Sequence, residues 1–242
     1  MKKKKIDLGI HIALIVSCLL GITLQLAGST NFMGAAQTIF RAFTVQSNVW
    51  IASLSLVYLI YAYVIKKEVP HWLYILKYMF TVAILLTYTV FAVILSPVMT
   101  SAYLWSPSNW FLHTITPLLA LASYLQLDVK HLPLGKQHLF AIVMPILYAI
   151  YFLAYYAFIG SQPVPYFFLD YQVLGWFTIT SHGIGVIYWI LLISLLVIGL
   201  GYGLTALSNK TQDDASRMKK TYLMASLMIS LSLIMTLLNP LF

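Results

Sequence analysis

Six polar side chains stand near the ends of long apolar runs in a chain of which only 8% is charged. Thr44 and Asn48 are four residues apart at the start of one run, so a helix that has begun by residue 44 puts both on one face. Asn109 and His113 repeat that spacing at the start of another run, with Pro117 one turn further on. Asp170 and His182 lie in the segment leading into a third. A threonine hydroxyl is a weak nucleophile that needs a neighbouring base to take its proton. Neutral imidazole, titrating near about pH 6.5, suits that work. Asp170 or Asn109 is available to orient His113 as the third member of a triad does. Asn48 or Gln46 is available to donate hydrogen bonds to a developing oxyanion, and Arg41 to pair with a carboxylate or phosphate. Each residue also has a plainer reading. Thr44, Ser47 and Asn48 are types that cap free helix N–H groups. A lone membrane histidine often only packs, Asp170 suits a solvated turn, and Arg41 can snorkel to lipid phosphates.

The chemistry requires hydroxyl and ring nitrogen within about 3 Å, so two non-consecutive helices must touch at the same end. The chain has 242 residues, 61% hydrophobic and only 8% charged, with a mean hydropathy of +0.89. Soluble domains are about a quarter charged. Seven continuous apolar runs, 8–27, 47–65, 74–96, 109–127, 139–159, 183–206 and 221–238, each approach the roughly 20 residues that span a bilayer core. β-barrel strands alternate apolar and polar residues instead. The expected fold is therefore all-α, a polytopic transmembrane helix bundle of seven spans forming a single domain over 1–242.

The net charge of +8 is placed to set topology rather than to bind nucleic acid. Lys2, Lys3, Lys4, Lys5, Lys66, Lys67, Lys77, Lys130, Lys136, Lys210, Arg217, Lys219 and Lys220 fall before run one or around alternate loops, leaving only Arg41 on the other side. The positive-inside rule then predicts a cytoplasmic N-terminus, in a multi-pass protein of the cell membrane, bacterial plasma membrane by expectation. That assignment uses Lys and Arg alone, yet it sorts Thr44, Asn48, Asn109, His113, Asp170 and His182 into one outer layer, an outward-facing polar pocket. His71, His131 and His138 fall at the cytoplasmic surface, and His11 near the cytoplasmic end of the first helix. The KKKK start resembles a signal peptide, but the long first run and the six after it favour an uncleaved helix. "IVSC" at 15–18 resembles a lipoprotein box, but the residues after Cys18 stay apolar. One cysteine allows no intramolecular disulfide and no Cys-rich metal site. No metal and no cofactor are expected. Loop 160–182, rich in Pro and aromatics, is expected to lie at the interface as a partly ordered lid, and Gly183, Gly185, Gly199, Gly201 and Gly203 would permit close helix packing.

Three stretches carry a family resemblance: "FTVQSN" at 43–48, "WFLH" at 110–113, and the "YFFLDY…GW" loop at 166–176. Over about residues 8–206 the chain resembles the bacterial Pr-six-Pr proteins, six-helix integral membrane proteins of unassigned function. These are distantly similar to the eukaryotic androgen-induced and androgen-dependent membrane hydrolases. The resemblance implies an intramembrane threonine hydrolase that cleaves fatty-acid esters of hydroxy fatty acids, with Thr44 as nucleophile and His113 as its partner. The chain departs from the pattern in its additional run 221–238 and in the residues around His113.

The expected function is thus hydrolysis of lipid esters, with membrane lipids or a lipid-like molecule as partner. The same pocket would also serve a transport or ligand-binding protein without covalent chemistry, although the lack of charges deep in the helices speaks against an ion-coupled pump. A haem held by His113 and His182 and a scaffold whose polar layer only caps and anchors are further readings. A retinal protein is disfavoured, because the last two spans have no internal lysine.

Overall fold

The computed structural model describes residues 2–28, 36–127, 131–133, 135–159, 164–180, 183–209 and 214–238. The long helices are α1 (Lys2–Ala27), α2 (Phe43–Leu59), α3 (His71–Val90), α6 (Thr116–Leu125), α7 (Val143–Ile159), α9 (Val186–Asn209) and α10 (Asp214–Leu238). Short helices α4 (Ser101–Leu104), α5 (Pro107–Trp110) and α8 (Tyr171–Leu174) lie between them. Two-residue strands β1 (Ile179–Thr180) and β2 (Gly183–Ile184) pair antiparallel, Ile179 with Ile184 and Thr180 with Gly183. The chain is an all-α bundle.

Six helices are long and apolar enough to cross a membrane, which fits a multi-pass membrane protein. The expected fourth span is not among the six. Its chain is helical from 107 to 125, but Asn109, His113, Thr114 and Thr116 dilute its hydropathy, and all four are buried in the bundle. Among the six, α3 has 78% of its apolar window buried, against 11% for the last helix. So α3 is the axis, and it packs against α2, α6, α7 and α9, while α1 closes over α2, α5 and α6. Side chains such as Leu195, Leu223 and Leu237 on α9 and α10 point outward, as a lipid-facing surface requires.

Two helices widen where they approach each other. Phe111–Ile115 and Phe91–Leu95 are π-helical turns. Pro117 and Pro97 follow them, and a proline has no N–H for the carbonyl four residues earlier, which here belongs to His113 and Val93. The wider turns change the direction in which side chains project. At Gly21 on α1, an added Cβ would stand 2.7 Å from Leu112 Cδ2 and 3.0 Å from Phe111 Cβ. The missing side chain lets α1 press against the turn carrying His113. Gly201 likewise lies against Tyr78, whereas Gly199 and Gly203 face open space.

The far end of α1 holds a charged cluster. Lys77, expected among the loop charges, lies inside α3 and is only 2% exposed. Its Nζ is 3.1 Å from His11 Nε2, His11 Nε2 is 3.8 Å from the Asp7 carboxylate, and Tyr58 and Tyr63 both donate to Asp7 at 3.3 Å. Tyr58 stacks on His11 and lies beneath the Lys77 ammonium. The helices therefore do carry buried charge, at the end away from Thr44. Removing one partner of a buried charged network costs about 3–5 kcal/mol, whereas replacing the whole network with well-packed apolar residues is often neutral or stabilising. His11→Ala and Lys77→Met each remove one partner and leave the others in place, so each is expected to lower stability by about 3 kcal/mol. Cys18, a free thiol 2% exposed, reports unfolding through its reaction with a thiol-directed dye during heating in detergent.

Candidate functional site

The site is built on the first turn of α2. Ala42 occupies the N-cap and makes no side-chain cap bond, so Thr44 lies inside the helix and its hydroxyl is not a cap. Thr44 Oγ1 is instead 3.3 Å from His113 Nε2, at the loose end of hydrogen-bond reach, as resting catalytic pairs are. The helix begins by residue 44, so Thr44 and Asn48 do stack as the spacing predicted. Thr44 is partly exposed, whereas His113 is buried at 4%.

His113 is held from two sides. Its ring stacks on Phe91, centroids 3.8 Å apart and planes at 21°, and Tyr103 meets it edge-on at 6.4 Å. Its Nδ1 is buried without a hydrogen-bond partner. A proton on Nδ1 leaves the Nε2 lone pair directed at Thr44, the tautomer a general base needs. Ser106 caps α5 by accepting from Asn109 N at 3.3 Å, with Pro107 in the first helical turn, and so fixes where the segment that carries His113 starts.

Asn48 ties the two halves together. Its Nδ2 donates to the Thr44 carbonyl at 2.8 Å and to the Leu112 carbonyl at 3.0 Å, joining the turn with the hydroxyl to the turn with the imidazole. Ser47 adds bonds to the Thr44 carbonyl and to Thr87 on α3 at 3.0 and 2.8 Å. Both Asn48 N–H groups are therefore occupied, and its part in the site is positional. Asn48→Leu takes the side-chain donor from the Leu112 carbonyl and releases the cross-link, while Ser47 still serves the Thr44 carbonyl, so a stability loss of about 2 kcal/mol is expected, measured by Cys18 reactivity. Because misplacement by about 1 Å can cost 100-fold in rate, any reaction of the pair is expected to slow at least tenfold in that variant.

The remaining expected residues separate. Gln46 Nε2 donates to the Phe40 carbonyl at 3.1 Å. Asn109 Nδ2 donates to the Leu104 carbonyl at 2.9 Å, and its Oδ1 is buried without a partner. Asp170 accepts from Gln172 N, Val173 N and the Tyr156 hydroxyl, each at 3.1 Å; it caps α8 and makes no bond to His113. The Arg41 guanidinium lies 4.7 Å over the Tyr155 ring, and the Arg41 carbonyl accepts from Tyr148 at 2.9 Å. His182 lies outside the described residues, as does part of the 160–182 loop.

Two residues joined the site without a signal in the spacing. Tyr166, from the loop before α8, accepts a hydrogen bond from Thr44 N at 3.2 Å and lies 3.4 Å from Thr44 Oγ1. Gln25, 6% exposed near the end of α1, faces the same space.

Two cavities meet at the threonine. One, of about 660 Å³, is almost wholly apolar and runs between α2, α3, α7 and α9 past Phe43, Leu86, Ile146, Tyr148 and Ile190. The other, of about 520 Å³, contains Gln25, Tyr103 and His113. Thr44, Leu95 and Tyr166 line both. A third space of about 290 Å³ lies on the other side of His113 against α10, where Thr114 and Ser232 hydroxyls are 2.9 Å apart. The arrangement places the Thr44 hydroxyl, 3.3 Å from His113 Nε2, between a nearly wholly apolar cavity and a second one to which Gln25, Tyr103 and His113 add polar groups. No family model matches the chain, and no curated protein or solved structure matches it either.

Proposed function

We propose that the chain is an intramembrane hydrolase of lipid esters, with Thr44 as nucleophile and His113 as general base. The observation that carries this reading is the 3.3 Å approach of Thr44 Oγ1 to His113 Nε2 from helices that are not consecutive. In the reaction Thr44 Oγ attacks the ester carbonyl carbon while its proton passes to His113 Nε2. The carbonyl π pair moves onto oxygen. Collapse re-forms the carbonyl and breaks the ester C–O bond, and the leaving alkoxide takes the proton from His113. Water then gives a proton to His113, its oxygen attacks the acyl-threonine, and the alkoxide of Thr44 recovers the proton as the fatty acid leaves. The more apolar cavity suits the acyl chain, and the cavity that holds Gln25 and His113 suits the ester and water.

The topology belongs to the same proposal. Helix 107–125 is the seventh crossing, its polar content tolerated because it is enclosed by protein. The N-terminus is cytoplasmic and the site faces the outer leaflet of a bacterial plasma membrane. Kinship with the Pr-six-Pr proteins is part of this reading, carried by the motifs around Thr44, His113 and Tyr166. The size and apolar lining of the larger cavity also favour a second reading, a lipid-binding or transport protein using the pocket without covalent chemistry. The deciding experiment compares purified wild type and Thr44→Ala on a series of long-chain acyl esters. Turnover by wild type that the variant lacks supports the hydrolase; equal release by both, at the spontaneous rate, supports the binder.

A further inference from the structure

The proposed reaction puts a negative charge on the former carbonyl oxygen, and the donor that meets it must be next to Thr44. The side chains expected for that task are engaged elsewhere: Asn48 has both N–H groups on main-chain carbonyls, and Gln46 is bonded to Phe40. Tyr166 is placed differently. A tyrosine hydroxyl has one proton to give and lone pairs to accept with. The Tyr166 oxygen already accepts the Thr44 N–H at 3.2 Å, which leaves its own proton for an oxygen lying beside Thr44 Oγ1, 3.4 Å away. The ring is 7% exposed. It is locked by stacking on Phe168, centroids 5.3 Å apart, and by edge contact with Tyr148 at 6.2 Å. It also forms part of the wall of both cavities.

We infer that Tyr166 is a further catalytic residue, donating its phenolic hydrogen bond to the oxyanion formed when Thr44 attacks an ester carbonyl. The inference rests on the hydrolase reading of the site. As the Thr44 Oγ–carbon bond forms and the π pair moves to oxygen, Tyr166 O–H turns from Thr44 Oγ to that oxygen. It holds its proton throughout and gives the hydrogen bond up when the carbonyl re-forms. Burial pushes the Tyr166 phenol above its ordinary range, which keeps it a donor at neutral pH. The N-terminus of α2 lies alongside and adds partial positive charge to the same point. An oxyanion donor acts mainly on the transition state, so its removal affects kcat rather than KM.

The test uses full-length protein in detergent with a long-chain acyl ester. Tyr166→Phe keeps the ring and its stacking, and kcat is expected to fall about 100- to 1000-fold with KM within a few-fold of wild type. A second variant carries ring-fluorinated tyrosine at 166, which keeps the acceptor oxygen and strengthens the donor. Its kcat is expected to shift severalfold with melting temperature unchanged, something a purely structural partner for Thr44 N–H would not produce. Wild-type kcat in both variants, with Thr44→Ala inactive, overturns the role of Tyr166 and leaves the hydrolase standing. Wild-type kcat in Thr44→Ala removes the hydrolase, and this inference with it.

Discussion

Thr44→Ala is expected to lower kcat for ester hydrolysis by roughly 10,000-fold or more, the scale on which nucleophile deletions act, while changing stability by less than about 1 kcal/mol. The asymmetry follows from where the hydroxyl points. The N-cap of α2 is Ala42, so no capping bond is lost. The hydroxyl's hydrogen-bond partners are His113 and Tyr166, and the main-chain N–H keeps its bond to Tyr166 when the side chain is shortened. Binding of a non-hydrolysable ether analogue is expected to stay within a few-fold of wild type, because the acyl cavity is lined chiefly by other residues. Thr44→Ser keeps the nucleophile and is expected to retain part of the activity. Wild-type turnover in Thr44→Ala would contradict the proposal outright.

His113→Gln should lower kcat on a similar scale, and its combination with Thr44→Ala should be no worse than either single change. Residues that act as one unit are strongly non-additive: with the base gone, the hydroxyl has nothing to take its proton. Multiplying losses in the double variant would mean that the two residues act independently. Glutamine preserves a polar side chain against Phe91, but it forfeits ring stacking at 3.8 Å. A stability loss of about 1–2 kcal/mol is therefore expected beside the kinetic one. Retained binding of the ether analogue separates the two effects.

The two polar pairs, Thr44 with Asn48 and Asn109 with His113, were legible because both signals are local, whereas singling out Thr44 and His113 as nucleophile and base came from the family resemblance. Each residue stands four positions from an asparagine at the start of a helix, and charge placement put the two starts at one end. The remaining condition, helices touching at that end, is met at 3.3 Å. Tyr166 was not legible, since its contact spans 122 residues and comes from a loop whose path no periodicity predicts. Asn48 lay on the right face, but its roles as donor and as cross-link depend on the Leu112 carbonyl, which only packing brings within 3.0 Å. Asp170 had the composition of a triad member, yet the two free N–H groups of its own short helix claim it. Lys77 read as a loop charge because hydropathy does not show where α3 begins. The helix starts at His71, so Lys77 lies inside it, where α1 supplies His11 as a partner. The fourth run is dilute because Asn109, His113, Thr114 and Thr116 are buried in the bundle, whereas the axis α3 is enclosed and strongly apolar.

The central claim concerns one bond, between the acyl carbon of an ester and Thr44 Oγ. Wild-type protein mixed with excess activated acyl ester, quenched in acid and digested, is expected to yield the peptide containing Thr44 heavier by the mass of the acyl group. That adduct should be absent from Thr44→Ala and should rise when His113→Gln slows its hydrolysis more than its formation. An ester that turns over while every Thr44 peptide keeps its unmodified mass, with the label on another residue or on none, would contradict the account.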